Sequence, residues 1–322
     1  MIRNLIFYIF AFLLFNAYSL TLHAQNYKTE IGFTTENDLY IDPEQDRYYT
    51  NGLLLHLRHA FKQDTTVGKT EKRILELEIG HKLFSPYSAK APNPALHDRP
   101  FTGYLYVGGT YDLFYKKESL LKLSVQFGTI GPRAKGRELQ VGYHKWLGIY
   151  QPLGWDYQLK NEYGLNLAAE YDRLLYRFFN KKADIIGNSA VLLGNTFSGA
   201  NVGFTFRLGL MNSLNESVTY NSRISNNTKE NPKPKREIFL FAKPLINYVA
   251  YDATIEGGLF IKDKGPITFN AKPLVYSLQS GVSFAAARWS LSYILTNKSK
   301  DVESTAKSYR YASLIFLYRL NK

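Results

Sequence analysis

The feature that most constrains the fold of this chain is the alternation of apolar and polar residues in short segments from residue 28 to residue 320. In the first segment, Ile31 and Phe33 would share one face of an extended strand. The other face would carry Glu30, Gly32, Thr34, Glu36 and Asp38. Including this one, we estimate about twelve such strands, at intervals typical of a meander. No helical periodicity long enough for a second domain is present, so the pattern predicts one all-β domain.

The first 24 residues predict a secretory signal peptide. Met1-Ile2-Arg3 gives a short basic start, residues 5–15 are almost entirely apolar, and Ala24-Gln25 is a plausible cleavage point. This arrangement is typical of an export signal. Residues 25–322 contain no apolar run of about 18 residues, so no transmembrane helix is expected. An exported chain of this kind is either soluble outside the cytoplasm or a membrane β-barrel.

Composition favours the barrel. The chain has 25 Tyr and 21 Phe, yet its mean hydropathy is only −0.26. Such values fit strands that alternate lipid-facing and lumen-facing side chains, with tyrosine girdles at the interfaces. There is no cysteine, and the net charge of +13 favours an anionic membrane surface or phosphorylated lipid over nucleic acid. We predict a monomeric transmembrane antiparallel β-barrel of about twelve strands in the bacterial outer membrane.

The connection between the first two strands is rich in oxygen ligands. Asn37, Asp38 and Thr50 offer amide, carboxylate and hydroxyl oxygens, which suit a hard cation such as Ca²⁺. Strand parity places Asp38 and Thr50 together on the lumen side. Asn37 and Asp38 are adjacent, so they act together only where the strand ends or bulges. A simple turn is the alternative interpretation, and Asp42-Pro43 is a turn signal.

A second polar cluster lies in residues 138–148, which we predict to be a strand. Even spacing would place Glu138, Gln140 and His144 on one polar face. A histidine beside a carboxylate has the parts of a general base. A histidine that only forms hydrogen bonds in the lumen is the alternative.

Other polar residues carry weaker predictions. Lys90 and Arg99 lie in or next to the Pro-rich segment 84–99 and could bind phosphate, or could simply be solvated loop charges. Residues 213–236 predict a mobile external loop. No Gly-x-Ser-x-Gly elbow is present. The four histidines without metal-ligand spacing are interpreted as structural or surface residues: His56, His59, His81 and His97.

Taken together, these motifs resemble the outer-membrane lipid A 3′-O-deacylases of the LpxR family. The matching pieces are, in the family's order, Asn37-Asp38, Asp46-Arg47-x-Tyr49-Thr50-x-Gly52-Leu53, Ser85-Pro86, Asp98-Arg99-x-Phe101, Ile130-Gly131-Pro132, Glu138-x-Gln140-x-x-x-His144, Trp155 and Asn161-x-Tyr163-Gly164. They span residues 37–164, and the C-terminal half matches only as generic barrel.

The resemblance implies a twelve-stranded barrel with an active site in the wall near the outer leaflet. It further implies Ca²⁺-dependent hydrolysis of the 3′-linked acyloxyacyl ester of lipid A. By resemblance, His144 would activate water, and Asp38 with Asn37 and Thr50 would bind or position Ca²⁺. Glu138 and Gln140 share the motif and would support the site. Lys90 would contact a substrate phosphate.

One position departs from the family pattern. A glutamate six residues after the histidine assists it in the family, whereas this chain has Tyr150 there. Glu138, predicted on the face of His144, is our candidate substitute. Two alternative functions stay open, namely a barrel phospholipase acting on glycerophospholipids and a non-catalytic pore or structural barrel.

Overall fold

The computed structural model describes residues 27–42, 46–62, 70–226 and 236–320. Within these residues, twelve antiparallel strands form one closed barrel in which each strand pairs with its sequence neighbours. The strands are β1 Thr29–Asn37, β2 Tyr48–Ala60, β3 Thr70–Ser85, β4 Thr102–Tyr115, β5 Ser119–Ile130, β6 Glu162–Phe178, β7 Ala183–Gly194, β8 Phe197–Leu210, β9 Glu237–Asp252, β10 Leu274–Ala285, β11 Trp289–Lys298 and β12 Tyr309–Leu320. The predicted fold class, strand number and single domain are confirmed.

Closure depends on the pairing of the first strand with the last. Thr29 lies opposite Leu320 and Asn37 lies opposite Ala312, so β1 and β12 are paired along the whole of β1. On its other side β1 pairs with β2. No strand edge is left open in the described barrel, which removes the usual route to strand-by-strand aggregation.

The predicted two-faced pattern holds in β1. Ile31 and Phe33 are 43% and 42% exposed and point outward, as lipid-facing residues must. Glu30 is fully buried in the lumen, and Thr34 is nearly so.

Long and short connections distinguish the two ends of the barrel. At one end, residues 86–101, 131–161 and 253–273 form long loops between strands. The opposite end carries residues 27 and 320, and three of its connections have four residues or fewer. Long loops mark the extracellular end of bacterial barrels and short turns the periplasmic end. We call these the loop end and the terminal end.

Two α-helices occur in the described part of the chain, α1 (Gly136–Leu147) and α2 (Ala253–Glu256). Among the described residues, no helix is long and apolar enough to cross a membrane. The predicted signal peptide lies outside the described residues and stays a prediction.

Paired charges fill the lumen. Arg319 Nη1 lies 2.8 Å from Glu30 Oε2, and Arg207 Nη2 lies 2.6 Å from Asp184 Oδ2. Burying such charges is tolerable only when each has a partner.

The four histidines predicted to be structural or surface residues each form local hydrogen bonds. His56 Nδ1 lies 2.8 Å from Glu76 and 3.0 Å from Glu78, inside the lumen. The other three histidines have these partners: His59 with Thr29, His81 with Ala134 and His97 with Ala91.

The terminal end is closed by a plug, residues 211–226, which contradicts the predicted mobile loop over 213–236. Leu214, Tyr220 and Ile224 are buried in an apolar cluster with side chains from the strand ends. Lys72 Nζ donates to the carbonyl oxygens of Asn215 and Ser222 at 2.5 and 2.6 Å. The Asn/Ser-rich composition suggested a solvated loop, but its few apolar residues fill the barrel mouth. Residues 227–235 lie outside the described part of the chain.

Two strand predictions change in detail. The segments 157–171 and 174–179 belong largely to one strand, β6. The predicted strand over 254–261 is wrong, because these residues form most of α2 and an irregular stretch. The side chain of Asp252 accepts a hydrogen bond from the backbone N–H of Thr254, and this cap starts α2 where the pattern suggested a strand.

Candidate active site

Asn37 and Asp38 lie where β1 ends. The Asn37 side-chain oxygen accepts from the backbone N–H of Leu39 at 2.8 Å and caps a 3₁₀ turn, Asp38–Tyr40. Asp38 Oδ2 accepts from the backbone N–H of Arg47 at 2.8 Å. Its other oxygen, Oδ1, is buried without a hydrogen-bond partner among the described residues. The strand end required for these neighbours to act together is therefore present.

Thr50 lies at a bulge in β2. The pairing with β3 shifts register between Tyr49 and Asn51. Thr50 and Asn51 therefore line the same cavity, although they are neighbours in the chain. Thr35 of β1 and Leu53 of β2, whose side chains face outward, line it too. The prediction that Thr50 lies on the lumen side is wrong, because simple parity does not survive the bulge.

Residues 138–148 are helical rather than extended, so this strand prediction is wrong. Gly136, Gln140 and His144 are the buried residues of α1, and their four-residue spacing places them on one helix face. A Cβ on Gly136 would approach Trp155 to 2.6 Å, so glycine permits the close packing of the helix start. Gly148 ends the helix with φ of 67°. These two glycines were the sequence signals of a helix.

His144 is held from both sides of its ring. Nδ1 lies 2.7 Å from the carbonyl oxygen of Tyr150, which can only accept, so Nδ1 carries a hydrogen. Nε2 lies 3.2 Å from Asp46 Oδ2. Burial opposes protonation of the ring, but the hydrogen bond and charge of Asp46 raise the pKa of His144 above its ordinary value.

Asp46 is the centre of this arrangement, and sequence reasoning missed its role. Gln140 Nε2 lies 3.3 Å from both Asp46 oxygens, and the Tyr150 hydroxyl donates to Oδ2. Burial and the charge of Asp46 raise the pKa of Tyr150, so its hydroxyl stays protonated. Trp155 Nε1 donates to Gln140 Oε1 at 2.7 Å and fixes the amide. From the sequence, Asp46 is identified only within a family motif, because residues 98 positions apart share no strand or helix periodicity that would place Asp46 beside His144.

Glu138 does not support His144. Six residues on a helix correspond to a rotation of about 600°, so the two side chains diverge by roughly 120°. Glu138 is exposed and pairs with Lys135 Nζ at 3.0 Å. Its own backbone N–H and then Lys135 lower the pKa of Glu138. The prediction that Glu138 shares the face of His144 and replaces the family glutamate is therefore wrong.

A cavity of about 80 Å³ joins these elements on the outer side of the wall at the loop end. That volume has room for a few water molecules or a hydrated ion. Asp38 does not line the cavity. Burial, and then the negative charge of nearby Asp46, raise the pKa of the Asp38 carboxyl group. The residues that line the cavity are Thr35, Asn37, Leu39, Tyr40, Asp46, Thr50, Asn51, Leu53, Leu83, Leu139, Gln140, Tyr143 and His144.

The family model of outer membrane protein LpxR matches residues 6–320. The chain belongs to the LpxR family. It is an outer-membrane protein, as predicted. Among curated proteins, no sequence matches the chain.

Solved structures agree with the LpxR fold. LpxR from Salmonella typhimurium is 21% identical, with a TM-score of 0.71 over 90% of this chain and 100% of that one. The beta domain of the Bordetella autotransporter BrkA is 10% identical, with a TM-score of 0.51 over 92% of this chain and 100% of that one. These likenesses concern the barrel fold.

The two loop cations of the LpxR motif region lie in different settings. Lys90 is exposed, and its Nζ lies 4.5 Å above the centre of the Tyr150 ring, beside the cavity. Arg99 is fully buried, with Nη1 3.2 Å from both Asp301 oxygens and Nη2 2.8 Å from Thr254 Oγ1. Breaking such a buried pair costs about 3–5 kcal/mol. Arg99 thus links its own loop to the segments that carry Thr254 and Asp301. The prediction that it binds a substrate phosphate is therefore wrong.

Proposed function

We propose that this LpxR-family barrel is a lipid A deacylase that hydrolyses the 3′-linked acyloxyacyl ester with a water molecule activated by His144. The observation that carries this proposal is the position of His144, fixed by Tyr150 and Asp46 in a cavity on the outer side of the wall. The cavity lies at the loop end, which we assign to the extracellular side, so it would face lipids of the outer leaflet.

The hydrogen bond from Nδ1 to Tyr150 leaves Nε2 as the basic nitrogen. A water molecule in the cavity gives its proton to Nε2 as its oxygen attacks the ester carbonyl carbon. The bond from that carbon to the sugar oxygen then breaks, and the sugar oxygen takes the proton from Nε2. The products are a free acyloxyacyl acid and a 3′-hydroxyl group. Asp46, 3.2 Å from Nε2, stabilises the imidazolium between these steps.

The residues near the end of β1 fit a Ca²⁺ ion. Burial, and then the negative charge of Asp46, raise the pKa of Asp38 well above its usual range, and Asp38 Oδ1 lacks a partner among the described residues. A bound cation would relieve both costs. Asp38, Asn37 and Thr50 would hold it through oxygen atoms, the ligands that Ca²⁺ prefers. When bound, Ca²⁺ supplies positive charge for the ester oxyanion.

Two observations oppose the alternative functions. The cavity lining contains threonines but no serine among the described residues, so a serine-dependent phospholipase lacks its nucleophile there. The plug of residues 211–226 and the paired lumen charges obstruct a pore within the described barrel. Lys90, beside Tyr150, is our candidate for a substrate phosphate contact.

The direct test is the mass of lipid A from cells that express the protein. With Ca²⁺ present, the wild type should remove one acyloxyacyl group, and a Ca²⁺ chelator should slow this at least about tenfold. Returning Ca²⁺ should restore the wild type but not Asp38→Ala. If the wild type leaves the lipid A mass unchanged under every condition, the proposed function is wrong.

Glu138→Gln should leave deacylation within about twofold of the wild type. Its side chain is exposed and bound to Lys135, away from the cavity, and surface substitutions of this kind usually have small effects. Initial rates on lipid A measure this. A loss of tenfold or more would mean that Glu138 reaches the reacting groups after all.

A further inference from the structure

A second groove lies on the outer wall, away from the catalytic cavity. It has a volume of about 790 Å³, within the range of ligand sites, and crosses the outer face from β8 to β12. Val202, Phe204, Ile246, Tyr276 and Leu278 form its apolar part and are 42–55% exposed on the lipid-facing side.

The loop end of this groove is basic. Arg47, Lys298 and Arg310 line it, and none of the described lining residues is acidic. Lys298 is already paired with Asp301, whereas Arg47 and Arg310 form no ion pair with a described carboxylate. Among the described residues, the charged side chains that line the loop end of the groove are therefore all basic.

Arg47 and Lys307 both lie against the ring of Tyr87. The Arg47 guanidinium carbon lies 4.8 Å from the centre of the Tyr87 ring, and Lys307 Nζ lies 4.9 Å from the same centre. Arg47 Nε is also buried without a hydrogen-bond partner among the described residues. A phosphate bound at this arginine would lie among donors that have no carboxylate partner in the described part of the chain.

We propose that this groove binds a lipid A molecule at a position separate from the catalytic cavity. Its phosphate would contact Arg47 and Arg310, which line the groove, since arginine suits phosphate through paired N–H donors. Its acyl chains would cover the apolar part of the groove. The loop end faces the outer leaflet, whose phosphorylated lipid is lipid A, and this position decides against a phospholipid.

The test uses the purified full-length barrel carrying His144→Gln, which prevents turnover, and native mass spectrometry in detergent. The probes are doubly phosphorylated lipid A, dephosphorylated lipid A and phosphatidylglycerol. We expect two bound copies of lipid A, one at each position. Arg310→Glu should weaken the second copy about tenfold, which corresponds to about 1.4 kcal/mol. Arg173→Glu, an exposed arginine near the terminal end, is the matched control and should change nothing.

Three results would overturn the proposal: a single bound copy, equal binding of the dephosphorylated lipid, or stronger binding of phosphatidylglycerol. An Arg310→Glu variant that binds as the parent does would also overturn it. The readout is binding rather than cleavage. Loss of the second copy in Arg310→Glu therefore supports the groove even if the wild type fails to deacylate lipid A, so the two proposals can fail separately.

Discussion

Replacing His144 with glutamine should lower deacylation of lipid A about 10³-fold, the scale expected when a general base is removed. Glutamine keeps a polar side chain on the buried face of α1 but cannot accept a proton from water. The Tyr150 carbonyl and Asp46 would then lie beside an amide that is not basic and cannot activate water. Initial rates on purified lipid A, with released acyl chains quantified by mass spectrometry, measure the loss.

The matched control is His59→Gln, an exposed histidine in β2 near the terminal end. It should deacylate at the wild-type rate. Both variants should show the heat-modifiable electrophoretic migration of a folded barrel. A His144→Gln variant that is folded and retains more than a tenth of the wild-type rate would contradict the assignment of His144 as the base.

Replacing Asp46 with asparagine is the second change with a large effect. Asparagine keeps the size of the side chain but removes the charge that stabilises the imidazolium, and we expect a loss of roughly 10²- to 10³-fold. Tyr150→Phe is the informative companion, because it removes one hydrogen bond to Asp46 but keeps the carbonyl that accepts from His144. Its loss should stay below about tenfold.

The pH profile separates this role of Asp46 from simple destabilisation. Burial opposes the charged ring, but Asp46 raises the pKa of His144. In the proposed mechanism His144 must be neutral to accept a proton, so activity should rise with pH through that pKa. Without the Asp46 charge the pKa falls, and the acidic limb should move to lower pH in Asp46→Asn. The control Asp156→Asn removes an exposed acid that pairs with Arg137. An unmoved limb in Asp46→Asn would show that Asp46 does not act on His144.

The barrel could be predicted from the sequence because lipid and lumen impose opposite demands on neighbouring residues. In β1, for example, Ile31 and Phe33 face lipid, whereas Glu30 and Thr34 face the lumen. This alternation is local in sequence, and each strand repeats it. The plug was missed because its burial depends on contacts between distant parts of the chain. Leu214 and Ile224 stand among polar residues, and only the closed barrel places the strand ends around them.

Sequence reasoning named several residues of the candidate site, including Asn37, Gln140 and His144, but not their arrangement. In residues 138–148, apolar residues at alternate positions imitate a strand, while the buried spacing of Gln140 and His144 is helical. Asp46 approaches His144 from a loop far earlier in the chain. Local periodicity carries no information about such a contact, so the partner of the base had to come from the fold.

The proposed catalytic cavity lies on the outer side of the wall. If it is the active site, the relevant substrate concentration is that in the membrane surface. Lipid A would arrive by lateral diffusion within the leaflet rather than from bulk water. The quantity that sets the rate is then the mole fraction of lipid A in the surface around the barrel. In mixed micelles, added detergent at constant total lipid A should slow deacylation, because it lowers the mole fraction of lipid A in the micelle surface. Other lipids in the leaflet should slow it as well, because they compete with lipid A for places beside the cavity.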